Sequence, residues 1–303
     1  MKEKHYNDFG SWIKKKVGFK VQKISIDAGL SCPNRDGTKG TGGCIFCDNT
    51  TFSPAYCKGD KGIKAQMMDG INFFKRKYND MRYLAYFQTF TNTHASLERL
   101  KQMYEEVLDI DNVVGIVIGT RPDCVPDDLL YYLEQLNKQT FMIIEYGIES
   151  TNNKTLEYIN RGHSFECSRE TIVRTKDRGI FVGGHVILGL PGESFDDNIK
   201  EAEILNGTRL DIIKLHQLQI VKGTRLSEEY SKKNFKLYDV DEYIELVASF
   251  IQHSRKDIIF DRFASQMPGE MIVAPKWGIK SHEFTDKLDC YLMKNNIFQG
   301  QLI

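Results

Sequence analysis

From about residue 20 onward, short apolar runs alternate with stretches in which apolar residues recur every three or four positions. The runs are strand-length and rich in Val, Ile, Tyr and Phe, so they read as buried strands; the spaced stretches read as amphipathic helices. Lys20 to Ile26 is the first expected strand, and Lys61 to Tyr78 the first expected helix. Tyr83 to Gln88 follows as a strand, then His94 to Leu108 as a helix with Leu97, Leu100, Tyr104 and Leu108 on one stripe. Val113 to Gly119 is a buried strand, and Pro126 to Asn137 a helix with proline near its start, where its missing N–H costs nothing. Phe141 to Ile148 is strand-like, Asn152 to Asn160 helical, and Phe165 to Asp177 a further helix closed by Gly179. Phe181 to Leu188 is the fifth strand. Ser194 and Asp197 have the spacing of a capping box for a helix running to about Asn206, and Asp211 to Ile220 completes the series.

Strand and helix thus alternate about six times, with strands apolar on both faces, which is the signature of a parallel sheet covered by helices. Six units in roughly 200 residues fall short of the ~250 residues of a closed eight-fold barrel. The expected fold is therefore α/β, a partial (β/α)6 TIM-like barrel. Residues 1–19 read as an N-terminal extension, 20–225 as the core domain, and 226–303 as a small mixed C-terminal extension with a helix at Asp239 to His253 and a strand at Asp257 to Phe263.

Composition narrows the class. Lys and Arg number 41, and so do Asp and Glu, so the surface is not built as a uniform polycation, although a local basic groove is compatible with that balance. No apolar run approaches the ~20 residues of a membrane span, and Met1-Lys-Glu-Lys-His-Tyr6 lacks the apolar segment of a secretory signal. Seven cysteines, an odd number with a cluster in one loop, do not form a disulfide framework; a reducing cytoplasm is the expected compartment.

The cluster is Cys32, Cys44 and Cys47, spaced C-x11-C-x2-C in a glycine-rich run directly after the first strand. Loops after strand C-termini carry the chemistry in such folds. Three thiolates leave one iron of a cubane cluster open to bind something else, whereas structural zinc takes four protein ligands. Gly37, Gly40, Gly42 and Gly43 allow the backbone to wrap a bulky cluster, and Phe46 is placed to shield it. Zinc is the alternative, with Cys57 as a fourth ligand; Cys124, Cys167 and Cys290 are isolated and read as packed residues.

The three-cysteine loop, with an aromatic before its last cysteine, resembles the radical S-adenosylmethionine (radical SAM) superfamily. Glu145-Tyr-Gly-Ile-Glu-Ser150, followed by Arg161-Gly-His-Ser164, resembles the fourth-strand pattern of the branch that contains the Elongator catalytic subunit and the oxygen-independent coproporphyrinogen oxidases. Gly184-His-Val-Ile-Leu-Gly-Leu-Pro-Gly192-Glu193 resembles the fifth-strand glycine motif beside the adenosyl group. Lys20 to Gly29, Cys32-Pro-Asn-Arg-Asp-Gly-Thr38 and Val273-Ala-Pro-Lys-Trp277 are similar to the YhcC/YtqA-like family, over essentially the whole chain.

The resemblance implies a [4Fe-4S] cluster on Cys32, Cys44 and Cys47, with SAM held by Glu149, Arg161, Gly184, Gly189 and Gly192. A carboxylate can accept both ribose hydroxyls, and a guanidinium can grip the SAM carboxylate as a fork. It implies reductive cleavage of SAM to methionine and a radical that abstracts a substrate hydrogen, with a flavodoxin or ferredoxin as electron donor. It also points to tRNA, through wobble-uridine modification at carbon 5; a small metabolite or porphyrin-like substrate is the alternative. Lys14-Lys-Lys16, Phe73-Phe-Lys-Arg-Lys-Tyr78 and Lys232-Lys233 are candidate phosphate and base contacts, or equally solvated helix faces. His185 and His216 lie on expected strands, and alternation places Lys214 and His216 on one face, Leu215 and Gln217 on the other. Arg121 and Asp123, after the third strand, are further candidates near the site.

Overall fold

A computed structural model describes residues 4–48, 54–75, 81–233 and 235–303. In chain order the elements are α1 (Phe9–Val17), β1 (Lys20–Ile26), α2 (Ile63–Lys75), β2 (Met81–Phe87), α3 (Leu97–Glu105), β3 (Val113–Thr120), α4 (Asp127–Asn137), β4 (Phe141–Glu149), α5 (Asn153–Tyr158), α6 (Phe165–Lys176), β5 (Phe181–Leu188), α7 (Phe195–Asn206), β6 (Ile212–Gln217), β7 (Ile220–Val221), α8 (Arg225–Lys232), α9 (Val240–His253), β8 (Ile259–Arg262), β9 (Ile272–Ala274) and α10 (Ser281–Lys294).

The main sheet runs β1-β2-β3-β4-β5-β6-β8, and every neighbouring pair is parallel. Consecutive βα units add strands in sequence order, which curls the sheet into a partial barrel. The expected six strands are present, and the strand expected in the C-terminal extension joins them as a seventh beside β6. The expected sixth strand is shorter than its apolar run: it stops at Gln217, and Ile220–Val221 pairs antiparallel with Ile272–Ala274.

Two apolar clusters organise the packing. The larger lies between the sheet and its outer helices. The smaller fills the strands' N-terminal end of the barrel, where Leu84, Tyr86, Val117, Ile143, Ile212 and Ile259 meet Ile13 of α1, with Phe9 and Trp12 packed against them. Within the expected N-terminal extension, α1 therefore supplies a plug. Asp8 caps α1 by accepting from the Ser11 amide, and the Phe260 amide donates to Asn7 O at 2.8 Å, tying the plug to β8. The lysines at 14–16 occupy the last turn of α1, where they complement its carbonyl end.

Among the described residues, no helix is long and apolar enough to cross a membrane.

Candidate active site

A cavity of about 200 Å³ opens at the C-terminal ends of the strands, the end opposite the α1 plug. Cys32, Cys44 and Cys47 line it together with Phe46, Gln88, Arg121, Glu149, Arg161, His185 and Ile187. The three expected cluster ligands thus converge on one space, and Cys57, buried elsewhere, is not among its lining residues.

The Cys-Pro-Asn-Arg-Asp-Gly segment explains how the loop holds its shape. The Asn34 side chain donates to Asn160 O at 2.5 Å and approaches Cys44 Sγ at 3.9 Å. Arg35 donates to the Cys47 carbonyl, and Asp36 accepts from Thr38 and pairs with His94 at 2.9 Å. Asn160 in turn donates to Gly43 O at 2.7 Å, and the Ile45 amide donates to Ile159 O at 3.0 Å. The cysteine loop is therefore clasped to the segment between α5 and α6, which carries Arg161.

Glu149 and Arg161, the residues the resemblance assigns to SAM, lie side by side. Glu149 ends β4 just after a register shift against β5 and sits at φ 72°, a left-handed conformation uncommon for a residue with a side chain. That twist brings its carboxylate to 3.7 Å from the Arg161 guanidinium. Arg161 donates to Gly147 O at 2.5 Å and to Cys44 Sγ at 3.7 Å. A Cβ on Gly147 would lie 2.5 Å from Glu149 Oε1 and 2.6 Å from Arg161 Nη2, so only glycine leaves room for the pair. The sequence reading passed over this glycine. Its signal was its position between Glu145 and Glu149 at a strand end.

The expected glycines of the fifth strand do not line the cavity. A Cβ on Gly184 would meet Ile148 and Leu210 on the barrel's outer side, one on Gly189 the Tyr238 ring, and Gly192 serves a turn at φ 92°. The strand reaches the cavity through His185 and Ile187 instead.

Electrostatics fit an electrophilic, anion-binding centre. Burial and the neighbouring Cys44 push the Cys47 thiol up to about 12, so crowded thiols resist ionising until a cation sits among them. Arg161 Nε and Arg121 Nη1 are buried without a hydrogen-bond partner among the described residues, and both guanidinium groups reach the cavity. Arg121 is held by Asp123 at 2.9 Å, whose carboxyl stays below the usual range because Arg121 and Lys39 outweigh the effect of burial. Burial raises the Glu149 carboxyl despite Arg161 and Arg121.

Deeper in the barrel lies a charged network. Glu145 of β4 accepts from Lys23 at 2.7 Å, Tyr86 at 2.7 Å and Lys214 at 3.0 Å, and pairs with His185 at 2.8 Å. Asp261 pairs with Lys23 at 2.8 Å and Lys214 at 3.4 Å. Lys214 and His216 do share the inward face, as alternation predicts; Gln217 also reaches the cavity because β6 ends there. Burial opposes the charged form of Glu145, yet Lys214 and Lys23 hold it well below the usual range. Burial and Lys214 push His185 down to about 4, so it is neutral at physiological pH.

The radical SAM superfamily pattern matches residues 36–204, and a radical SAM C-terminal domain pattern matches residues 210–294. This chain belongs to the radical SAM superfamily. Within it, the Bacillus subtilis protein YtqA is 35% identical over 299 residues, covering 99% of this chain and 93% of that protein. The tRNA uridine(34) acetyltransferase of Methanocaldococcus infernus is 27% identical over 208 residues, covering 66% of this chain and 38% of that protein. Among solved structures, the archaeal Methanocaldococcus infernus Elp3 superposes with a TM-score of 0.70 at 19% identity, over 92% of this chain and 64% of that one.

As a radical SAM enzyme of the YhcC/YtqA-like kind, the protein uses a [4Fe-4S] cluster and SAM. The cluster, when bound, supplies the electron that cleaves the SAM sulfonium. The residues present suit both groups. Cys32, Cys44 and Cys47 would hold the cluster; Glu149 would accept the ribose hydroxyls, and Arg161, with Arg121 close by, would grip the carboxylate. Phe46 and Ile187 give that space apolar lining.

Proposed function

We propose that this radical SAM enzyme modifies the carbon-5 side chain of the wobble uridine in tRNA by removing a hydrogen from it. The observation that supports this most is the likeness over 208 residues, 66% of this chain, to a tRNA uridine(34) acetyltransferase. The cavity is compatible with an extruded base. It opens at the strand ends, has Phe46 and Phe90 as aromatic faces, and carries Gln88 and Gln219 as amide groups able to read a base edge. A cytoplasmic location fits a protein acting on tRNA, and a flavodoxin or ferredoxin is the donor class that fits the single-electron step.

The basic clusters singled out in the sequence contribute unequally. Lys14–Lys16 lie on the α1 plug, at the end of the barrel away from the cavity. Residues 76–78 of the Phe73–Tyr78 stretch lie outside the described residues, and Phe73 is 55% exposed. Lys232 and Lys233 are exposed at the end of α8 and remain available for phosphate contact.

The test is mass spectrometry of tRNA nucleosides from a strain lacking the gene, with the gene restored as control. A wobble uridine that stops at an intermediate in the deletion strain, and is completed by the wild-type gene but not by Cys44→Ala, is the expected result. An unchanged wobble-uridine profile would overturn the proposal.

A further inference from the structure

The barrel interior holds a second group of cations that the SAM-binding groups do not explain, and one of them, Arg262, lines the cavity. Lys23, Lys214 and Arg262 project from β1, β6 and β8 toward the barrel axis, against two carboxylates, Glu145 and Asp261. The lysines take both carboxylates: Lys23 bridges Glu145 and Asp261, and so does Lys214. Among the described residues, Arg262 has no carboxylate within ion-pair reach. Its Nη2 rests on the His216 ring, 2.8 Å from Nε2 and 3.0 Å from Nδ1, and its Nε is buried without a partner. His216 brings no compensating charge, because burial and Arg262 itself hold the imidazole neutral. Its ring stacks obliquely on His185, 5.4 Å away, so the guanidinium is backed by a rigid, uncharged support.

Both Arg262 and His216 line the cavity that the three cysteines line. Arg161 and Arg121 serve the cysteine side, from the segment between α5 and α6 and the loop after β3, and each has its own carboxylate partner. Arg262 stands apart from them on β8. A guanidinium held by a neutral ring, desolvated at one nitrogen and facing an open cavity, is a preformed seat for a planar or tetrahedral oxyanion. We propose that Arg262, seated on His216, anchors an oxyanion group of the substrate, a carboxylate or a phosphate, and so places the neighbouring carbon for hydrogen removal. The inference rests on the cavity being the radical SAM substrate site, and it holds for tRNA or for another anionic substrate.

The test compares the cluster-loaded wild-type enzyme with Arg262→Gln and Arg262→Lys. Iron content and melting temperature come first. Removing a cation that lacks a carboxylate should leave iron unchanged and the melting temperature equal or higher; a large fall in either would assign Arg262 a structural role and overturn the proposal. The second arm measures the melting temperature with acetate, inorganic phosphate or neutral acetamide at matched ionic strength. Acetate or phosphate should raise it in the wild type, less in Arg262→Lys, and not in Arg262→Gln; which of the two anions acts tells carboxylate from phosphate. Equal responses of wild type and Arg262→Gln to both anions would overturn the proposal. In the third arm, bulk tRNA from the deletion strain is the substrate. Arg262→Gln should raise KM roughly ten- to hundredfold, the worth of one charge-assisted contact, with partial recovery in Arg262→Lys. If the wild type leaves that tRNA unchanged, the tRNA proposal fails, while the anion arm still decides the role of Arg262.

Discussion

At the scale of single residues, the site depends on space as much as on charge. Gly147 is the clearest case, since its missing Cβ is where the Glu149 carboxylate and the Arg161 guanidinium come together. Gly147→Ala should fold, because the strand's ladder and its packed neighbours are unaffected, but it forces Arg161 off Gly147 O. Misplacing a binding group by about 1 Å costs roughly a hundredfold in rate. The expected outcome is normal cluster loading with SAM affinity and 5′-deoxyadenosine formation both sharply reduced, measured by equilibrium binding and product release. Wild-type affinity in Gly147→Ala would mean that the Glu149–Arg161 pair does not hold SAM. Glu201 on α7 makes a different point. Its Oε1 accepts from the Thr151 amide at 2.7 Å, its Oε2 has no partner among the described residues, and it is 2% exposed. Burial and nearby Glu193 raise its carboxyl well above the ordinary range. Between the ordinary carboxylate pKa and this raised one, the unfolded chain holds fewer protons than the native one. Stability therefore falls as pH rises across that window, by about 1.4 kcal/mol per pH unit. Glu201→Gln should flatten that slope in denaturant titrations run from pH 5 upward; an unaltered slope would show that Glu201 does not titrate there.

At the scale of elements, the plug formed by α1 decides whether the half-barrel has a floor. Ile13 is 1% exposed and sits among residues from five strands, and Trp12 packs edge-on against Phe181 at 5.1 Å. Ile13→Ala should cost about 2–5 kcal/mol, with a cavity left at the convergence of the strands. Urea denaturation checks it, and a loss below about 1 kcal/mol would show that α1 docks loosely. This helix was legible only in part. Phe9, Trp12, Ile13 and Val17 have helical spacing, but the stretch is short and lysine-rich, so it read as an extension. Phe284, Leu288 and Leu292 of α10 carried a similar signal that went unread. The central strands were easier, because a parallel strand covered on both faces is a continuous apolar run. The fifth lies where its run predicts, Phe181–Leu188. The sixth ran on too far in the reading because Leu218 and Ile220 are apolar as well. What ends β6 is a partner more than fifty residues away, Ile272–Ala274, and pairing at that distance leaves no local mark.

At the scale of the whole molecule, the barrel's interior is divided into an apolar floor and a charged middle beneath the cavity. The cysteines and the Glu149–Arg161 pair were legible because each sits in a short motif. The charged network was not, since its members are single polar residues in separate strands: Lys23, Tyr86, Glu145, Lys214 and Asp261 meet only once the sheet curls. Their signal was faint but present where a lone charge interrupts an apolar run, as Glu145 does in β4 and Lys214 in β6. Glu145 is the keystone, 1% exposed, with Lys23, Lys214, Tyr86 and His185 all directed at it. Replacing it by glutamine leaves two buried or half-buried cations, Lys23 and Lys214, facing Asp261 alone. Breaking a buried pair from one side typically costs about 3–5 kcal/mol, because the stranded charge keeps its desolvation penalty. Glu145→Gln should therefore be strongly destabilising, whereas adding Lys214→Met to it should recover a good part of the loss by removing one stranded cation. Neither effect should respond much to salt, since the charges lie away from mobile ions. Chemical denaturation of the two variants and the wild type, at low and at high salt, measures all three statements. A double variant no more stable than Glu145→Gln would show that its cost lies in lost hydrogen bonds to Tyr86 and His185 and not in charge balance. That outcome would also weaken the case that the lumen's charges are counted closely enough for Arg262 to stand out among them.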